Sequence, residues 1–377
     1  MLQPFTLLVD ENMPFAPELL SPFGQVITKS GRELCADDLI NIDALMVRSV
    51  TKVDETLLAK ANRLQFVGTA TIGTDHIHKE LLAARGIGFA SAPGCNRIAV
   101  GEYVITSLLA CAQYRGEQLA GKRLAVVGSG NTGNAVAQRA EAVGMKVLRY
   151  DPPLAAKGQS HWTFCQFEDV LNADVISLHV PLTRDGEHAT YHLFDAEVLN
   201  QLRPEQILIN ACRGEVVDNQ ALLRCVQAKL APALIWDVWE AEPNVLTDLV
   251  PYPFITTPHI AGYSLDGKMR GTQMITQALC QHLNFLYVDH SQQFLPAPTL
   301  SSIELTAPIE QATLGQLTQL IYNVFADDRR FRRDGLTAIG FDRLRKTYPQ
   351  RREFATLSIR GVSDPRLAAL GFALDPA

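Results

Sequence analysis

The feature that most limits what this chain can fold into is one unbroken block, "RLAVVGSGNTGNAVAQRAEAVGMKVLRYDPP", residues 123–153. An apolar β-branched run opens it, glycines follow at 128, 130 and 133, and an amphipathic proline-free stretch comes next. A second apolar run then ends in Asp151, eighteen residues beyond Gly133. Three glycines alone carry little information, because glycine punctuates turns in most proteins. Between a strand and a helix they mean more. Gly128 permits the tight turn, Gly130 lets backbone approach a pyrophosphate, and Gly133 lets the helix pack on the strand. The helix start at Asn131 and Thr132 offers N–H groups and a partial positive charge to phosphate. Asp151, at the tip of the next strand, suits the ribose hydroxyls; its plainer role is a turn residue before Pro152 and Pro153. A carboxylate there repels a 2′-phosphate and the prolines bring no cation, so the block predicts NAD rather than NADP.

The remainder reads as the same kind of unit, with short apolar runs alternating with longer helical ones. Strands are predicted at 5–10, 44–49, 64–70 and 86–92, then at 123–128, 146–151, 174–180, 206–212, 233–238 and 253–258. Between the two series, "AVGEYVITSLLACAQYRGEQL" (99–119) predicts a long, largely buried helix. Beyond residue 290 a Pro- and Ser-rich connection leads into arginine-dense stretches, "DDRRFRRDG" and "FDRLRKTYPQRREF". The predicted fold is α/β: two Rossmann-like or flavodoxin-like parallel-sheet domains flanking a cleft, plus a small α+β C-terminal dimerisation domain. Residues 1–98 and 259–290 are assigned to substrate, 99–258 to NAD, and 291–377 to a homodimer contact.

With 377 residues, 47% of them hydrophobic, the chain is long enough for that many cores. A net charge of −6 argues against nucleic acid or an anionic membrane as partner. The C-terminal arginines do not reverse this, since Asp327, Asp328, Asp334, Asp342 and Glu353 lie among them. They predict a salt-bridged subunit surface, with room for one arginine to serve an anionic ligand. No apolar run approaches the roughly 20 residues a bilayer demands, and the first residues lack a secretory pattern. Seven scattered cysteines without a C-x-x-C pair predict reduced thiols and a cytoplasmic location. No metal is called for.

Three ionisable residues follow predicted strands of the second series: Arg213 in "ILINACRGEVVDN", Glu242 in "LIWDVWEAEP" and His259 in "PFITTPHIAGY". Each alone has a structural explanation: a surface ion pair, a helix-start carboxylate, a packed histidine. Together they lie where open α/β sheets bind ligands, beyond the carboxyl ends of the strands. The chemistry they suit is hydride transfer from a secondary alcohol. A histidine takes the hydroxyl proton, a carboxylate fixes its tautomer, and a guanidinium grips an adjacent carboxylate while polarising the oxygen. The substrate class is a 2-hydroxy acid.

The set "VVGSGNTG", "LHVPLT", "INACRGEVVD", "DVWEAEP" and "TPHIAGY" resembles the D-isomer-specific 2-hydroxyacid dehydrogenase family over about the first 290 residues. The resemblance implies Arg213 as substrate-binding catalyst, Glu242 as the partner of the histidine and His259 as acid/base. It also implies cofactor contacts from Asp151, Val180, the Ala211–Cys212–Arg213 turn, Asp237 and Gly262. Further blocks, including "FVGTATIGTDHI", "PHIAGYSLDGKMRGT" and "FDRLRKTYPQRREF", point to a branch that carries the C-terminal domain. For that branch the resemblance implies a small phosphorylated 2-hydroxy acid, with contacts at Ser49, Thr71 and Tyr263. Arg48, beside Ser49, supplies a cation suited to phosphate, and Lys52 is either a second one or a solvated strand end. Other oxidations within the family, of phosphoglycerate or of the glyoxylate and hydroxypyruvate type, remain open at this level. So does a non-catalytic NAD-sensing scaffold, since transcriptional corepressors share the fold.

Overall fold

The computed structural model describes residues 5–158 and 162–375. The chain divides into two compact units, Met1–Asn96 with Ser264–Ala297 and Arg97–Tyr263 with Pro298–Ala377. In the first, strands β1 (Thr6–Asp10), β2 (Gln25–Lys29), β3 (Ala44–Val47), β4 (Phe66–Thr69) and β5 (Gly88–Ser91) form a parallel sheet in the order β2-β1-β3-β4-β5. β3 and β4 are buried throughout, which is why their sequences are continuous apolar runs rather than alternations. β2 was not among the predicted strands. It is an edge strand, "QVITK", more exposed than the opposite edge β5, and so lacks the apolar signal of the other strands. The helix Leu265–His282 returns to this unit and packs on β4 and β5.

The second unit holds a six-stranded parallel sheet: β6 (Arg123–Val127), β7 (Lys146–Tyr150), β8 (Val175–Leu178), β9 (Ile207–Asn210), β10 (Ala233–Trp236) and β11 (Ile255–Thr256), ordered β11-β10-β9-β8-β6-β7. β6 lies between β7 and β8, so the order in which strands are added reverses at that point. This is the switch point at which loops diverge and leave a crevice. The predicted long helix spans Arg97–Arg115 and is buried at every position from Ala99 to Ala112, ending where Gly116 takes a positive φ of 68°. Its surroundings explain its weak amphipathicity, because the helices Asn131–Ala142 and Gln311–Ile321 both pack on it.

The C-terminal segment belongs to this second unit. It carries a three-stranded parallel sheet, β12 (Ser302–Glu304), β13 (Ser358–Arg360) and β14 (Ala373–Leu374), in the order β12-β13-β14. The helix Val324–Asp334 covers the edge strand β11, where Asp328 Oδ1 accepts from Thr256 N (2.7 Å) and Thr256 Oγ1 (2.9 Å). β11 is only two residues long against a predicted six. The acids interleaved with the arginines pair with them in the same chain: Arg332 with Asp328 at 2.9 Å, Arg333 with Asp334 at 2.8 Å and Arg330 with Asp327 at 3.6 Å. No helix among the described residues is long and apolar enough to cross a membrane. All seven cysteines are free.

Candidate active site

The glycine turn leaves β6 at the switch point. Gly128 has φ 91°, and a Cβ there would lie 2.6 Å from the carbonyl oxygen of His179, just past β8. A Cβ on Gly133 would stand 1.9 Å from the Gly128 carbonyl oxygen. Both positions therefore exclude a side chain. A Cβ on Gly130 meets nothing within 4 Å. Tight packing at the two outer glycines and open space at the middle one are what a pyrophosphate cradle requires. Asn131 and Thr132 begin the following helix. Val180 follows His179 on the opposite side of the switch point and is half-buried.

Asp151 follows β7, where its carboxylate caps the next helix and reaches the glycine turn. Its Oδ1 caps the next helix through Leu154 N at 3.0 Å, and its Oδ2 accepts Ser129 N at 2.8 Å. The second bond ties it to the glycine turn, and each oxygen retains a lone pair for a hydroxyl donor.

His179 adds a pH dependence. Its Nε2 bonds Ser177 Oγ at 2.8 Å while Nδ1 is sealed without a partner, and burial pushes its pKa down to about 3. The ordinary value is near 6.5, so the unfolded chain takes up a proton below that pH and the folded chain does not. Folding stability should therefore fall from about pH 6.5 toward pH 3, by roughly 1 kcal/mol between pH 7 and pH 5 after allowing for the ring's residual solvent contact. Urea midpoints at pH 7 and pH 5 check this: His179→Gln should narrow the difference, and an identical drop in both proteins would contradict it.

Arg213 follows β9. Asn210 builds the turn beneath it, donating from Nδ2 to the Arg213 carbonyl (3.0 Å) and accepting from Cys212 N (3.2 Å), while Arg213 Nη1 donates to the Cys212 carbonyl at 2.7 Å. Ala211 is half-buried in the same turn. Burial pushes the Cys212 thiol up to about 11, which marks it as a packing residue rather than a nucleophile. The network His192–Glu240–Asn219 holds this turn against the next: His192 Nε2 lies 2.7 Å from Glu240 Oε1, and Asn219 N donates to Glu240 Oε2 at 3.0 Å.

Beyond β10, Asp237 is 1% exposed and its carboxylate accepts three hydrogen bonds. Oδ1 accepts Thr257 Oγ1 (2.6 Å) and Ile260 N (2.8 Å), and Oδ2 accepts Ala261 N (3.0 Å). Its carbonyl also accepts His259 N at 2.6 Å. Burial raises its pKa, while His259 and these donors favour the charge. These bonds hold His259 in a left-handed conformation, φ 57°, which a non-glycine residue adopts at a cost of about 1–2 kcal/mol. Sequence reasoning placed Asp237 at the cofactor; its place as the post of the histidine turn has no one-dimensional signature. Arg351, from the C-terminal segment, steadies the same turn by donating to the Ala261 carbonyl at 3.1 Å and the Ala99 carbonyl at 2.6 Å.

Glu242 and His259 meet. His259 Nδ1 lies 2.7 Å from Glu242 Oε2, and Glu242 Oε1 accepts Trp239 N at 2.8 Å. Burial opposes the charge on Glu242, but His259, Arg345 and the Trp239 amide outweigh it and hold its pKa below the usual range. An ionised Glu242 accepts Nδ1–H, so the neutral ring keeps its basic lone pair on Nε2. Gly262 and Tyr263 follow, both half-buried, with Arg345 Nε donating to Tyr263 Oη at 3.2 Å.

In the first unit, Arg48 and Ser49 follow β3, and Thr71 lies just beyond β4. Arg48 Nη1 donates to the Asn12 carbonyl at 3.1 Å, and Ser49 is exposed. Thr71 Oγ1 lies 2.8 Å from Thr69 Oγ1 and donates to the Gly73 carbonyl. Lys52 is an exposed strand-end cation paired with Asp54 at 3.2 Å.

A six-stranded parallel sheet with this glycine turn and a carboxylate–histidine pair defines a class of nicotinamide-dependent dehydrogenase. Residues 102–261 match the family described as D-isomer specific 2-hydroxyacid dehydrogenase, NAD binding domain, and residues 294–371 match a domain of unknown function. The solved D-lactate dehydrogenase from Aquifex aeolicus, complexed with NAD and lactic acid, is 25% identical with a TM-score of 0.60, over 74% of this chain and 95% of that one. The erythronate-4-phosphate dehydrogenase of Aeromonas salmonicida is 51% identical over 374 residues, covering 98% of this chain and 99% of its own. That of Tolumonas auensis is 48% identical over 369 residues, with 98% and 99% covered. This chain belongs to the D-isomer specific 2-hydroxyacid dehydrogenase family, in the group of these erythronate-4-phosphate dehydrogenases, and it is an NAD-dependent dehydrogenase.

Proposed function

We propose that the chain oxidises 4-phospho-D-erythronate to 3-hydroxy-2-oxo-4-phosphooxybutanoate while reducing NAD+, as a step of pyridoxal 5′-phosphate (vitamin B6) biosynthesis. The observation that carries this reading is the 51% identity, over 98% of the chain, to a relative of that name. Bound NAD supplies the hydride acceptor. His259 Nε2 takes the proton from the C2 hydroxyl, so that proton and hydride leave to different places and the alcohol becomes a ketone. Glu242 holds Nδ1–H and stabilises the imidazolium that forms. Arg213 grips the carboxylate and polarises the C2 oxygen as it gains carbonyl character. Gly128, Gly130, Asn131, Thr132 and Gly133 hold the pyrophosphate, Asp151 the ribose, and Val180, Ala211, Cys212, Asp237 and Gly262 line the rest of the cofactor. Arg48, Ser49, Thr71 and Tyr263 contact the phosphorylated acid.

The protein works in the cytoplasm as a homodimer held by its C-terminal segment; light scattering of the intact chain at its monomer mass of 41.5 kDa would contradict the dimer. The substrate is tested by following NADH absorbance with NAD+ and, in turn, 4-phospho-D-erythronate and 3-phosphoglycerate. Turnover of the first is expected. Turnover of phosphoglycerate with none of phosphoerythronate would overturn the assignment.

A further inference from the structure

The proposed substrate carries two anionic ends, and Arg213 answers for the carboxylate alone. Another guanidinium stands beside the catalytic pair within the same unit. Arg345 lies on the helix Ala338–Lys346, and its Nε bond to Tyr263 Oη joins it to the residue four places past His259. Its guanidinium carbon lies 5.8 Å from the centre of the Tyr263 ring and 5.7 Å from that of Phe341. These contacts fix the plane of the group and leave its far edge to be accounted for.

Three other arginines of this segment are spent on the protein. Arg332 donates to Asp328 and to the Val250 and Pro253 carbonyls, Arg333 pairs with Asp334, and Arg351 holds the Ala99 and Ala261 carbonyls. Arg345 differs. Among the described residues no acceptor takes either of its Nη groups, and neither Nη is sealed from solvent. Burial works against its charge, yet Tyr263 and Glu242 keep the guanidinium firmly protonated. The guanidinium thus keeps its charge beside the catalytic pair while only its Nε is engaged, by a neutral hydroxyl. Its two open Nη groups form the edge that matches two phosphate oxygens.

Resting on the substrate reading above, we infer that Arg345 is a specificity-determining residue that binds the phosphate of the substrate, with Tyr263 holding its guanidinium in place. This gives the C-terminal segment a part in substrate choice as well as in assembly. It also explains why an arginine of that segment lies against a tyrosine of the histidine turn, 82 residues away in sequence.

The experiment uses the full chain with saturating NAD+ and measures kcat/KM for 4-phospho-D-erythronate and for D-erythronate. The wild type should prefer the phosphorylated acid. In R345Q that preference should fall about 100-fold, mostly through KM, because a desolvated charge-assisted contact is lost. R345K, which keeps the charge without the fork, should recover part of it, and Y263F should lose less than R345Q. Inorganic phosphate, as a competitive inhibitor, should bind R345K more weakly than the wild type, a readout that needs neither the glutamine variant nor turnover of D-erythronate. An equal fall on both acids in R345Q, with unaltered inhibition by phosphate in R345K, overturns the proposal and leaves Arg345 as a brace. A wild type with no preference for the phosphorylated acid overturns the substrate reading itself, whereas a wild-type preference that survives in R345Q overturns this inference alone.

Discussion

Replacing His259 with asparagine is expected to lower kcat by about 10³-fold, the scale of a lost general base, while NAD affinity stays within a few-fold of wild type. Asparagine suits the test because it is small, polar and among the residues most tolerant of the left-handed conformation this position demands, φ 57°. The Asp237 bonds to the backbone of residues 259–261 involve no side chain of residue 259, so the turn should persist in the variant. What goes is the ring whose Nδ1 is held 2.7 Å from Glu242 and whose Nε2 is left basic. Stopped-flow turnover with NAD titration by fluorescence separates the two quantities. An equal loss of kcat and NAD affinity would return His259 to a packing role.

Arg213→Ala should be the other severe change, lowering kcat/KM by about 10³-fold, or roughly 4 kcal/mol of transition-state stabilisation. The guanidinium is asked to do two things: to bind the substrate carboxylate in the ground state, and to stabilise the C2 oxygen as its charge changes. The first appears in KM and the second in kcat, so both should move. Arg213→Lys keeps the charge but lacks the planar fork, and should recover only part of the loss. The turn itself should survive both substitutions, because Asn210 builds it through the Arg213 carbonyl and the Cys212 amide. Steady-state kinetics of the two variants checks this, and wild-type kcat/KM in Arg213→Ala would remove the residue from the mechanism.

Much of the candidate site is legible in the sequence because its parts follow strands. Every strand of the six-stranded sheet appears where an apolar run predicted it, and Gly128, Arg213, Asp237 and His259 all lie within a few residues of a carboxyl end. A parallel sheet buried on both faces writes itself into sequence as continuous hydrophobicity, and its ligand edge follows from chain direction alone. The edge strand β2 escaped detection for the converse reason: it is half solvated and its residues are mixed. The supports of the histidine were equally silent. Asp237 reads as one more strand-end carboxylate, and only three dimensions reveal that it accepts Thr257, Ile260 and Ala261 together. Arg345 and Arg351 lie in stretches whose composition spells a charged surface, yet one reaches Tyr263 and the other is buried against Ala99 and Ala261. Helix packing chooses which arginine of a basic run turns inward, and a single sequence records the run without the choice.

The central claim is that His259 takes a proton while hydride passes from C2 of the substrate to NAD+. The most direct test is to supply 4-phospho-D-erythronate carrying deuterium at C2, in ordinary water, and to weigh the reduced cofactor by mass spectrometry. One deuterium per NADH, bonded at C4 of the nicotinamide, with turnover slowed wherever hydride transfer limits the rate, is the predicted result. Reduced cofactor carrying only solvent hydrogen, or oxidised acid formed with no reduced nicotinamide, would contradict the account.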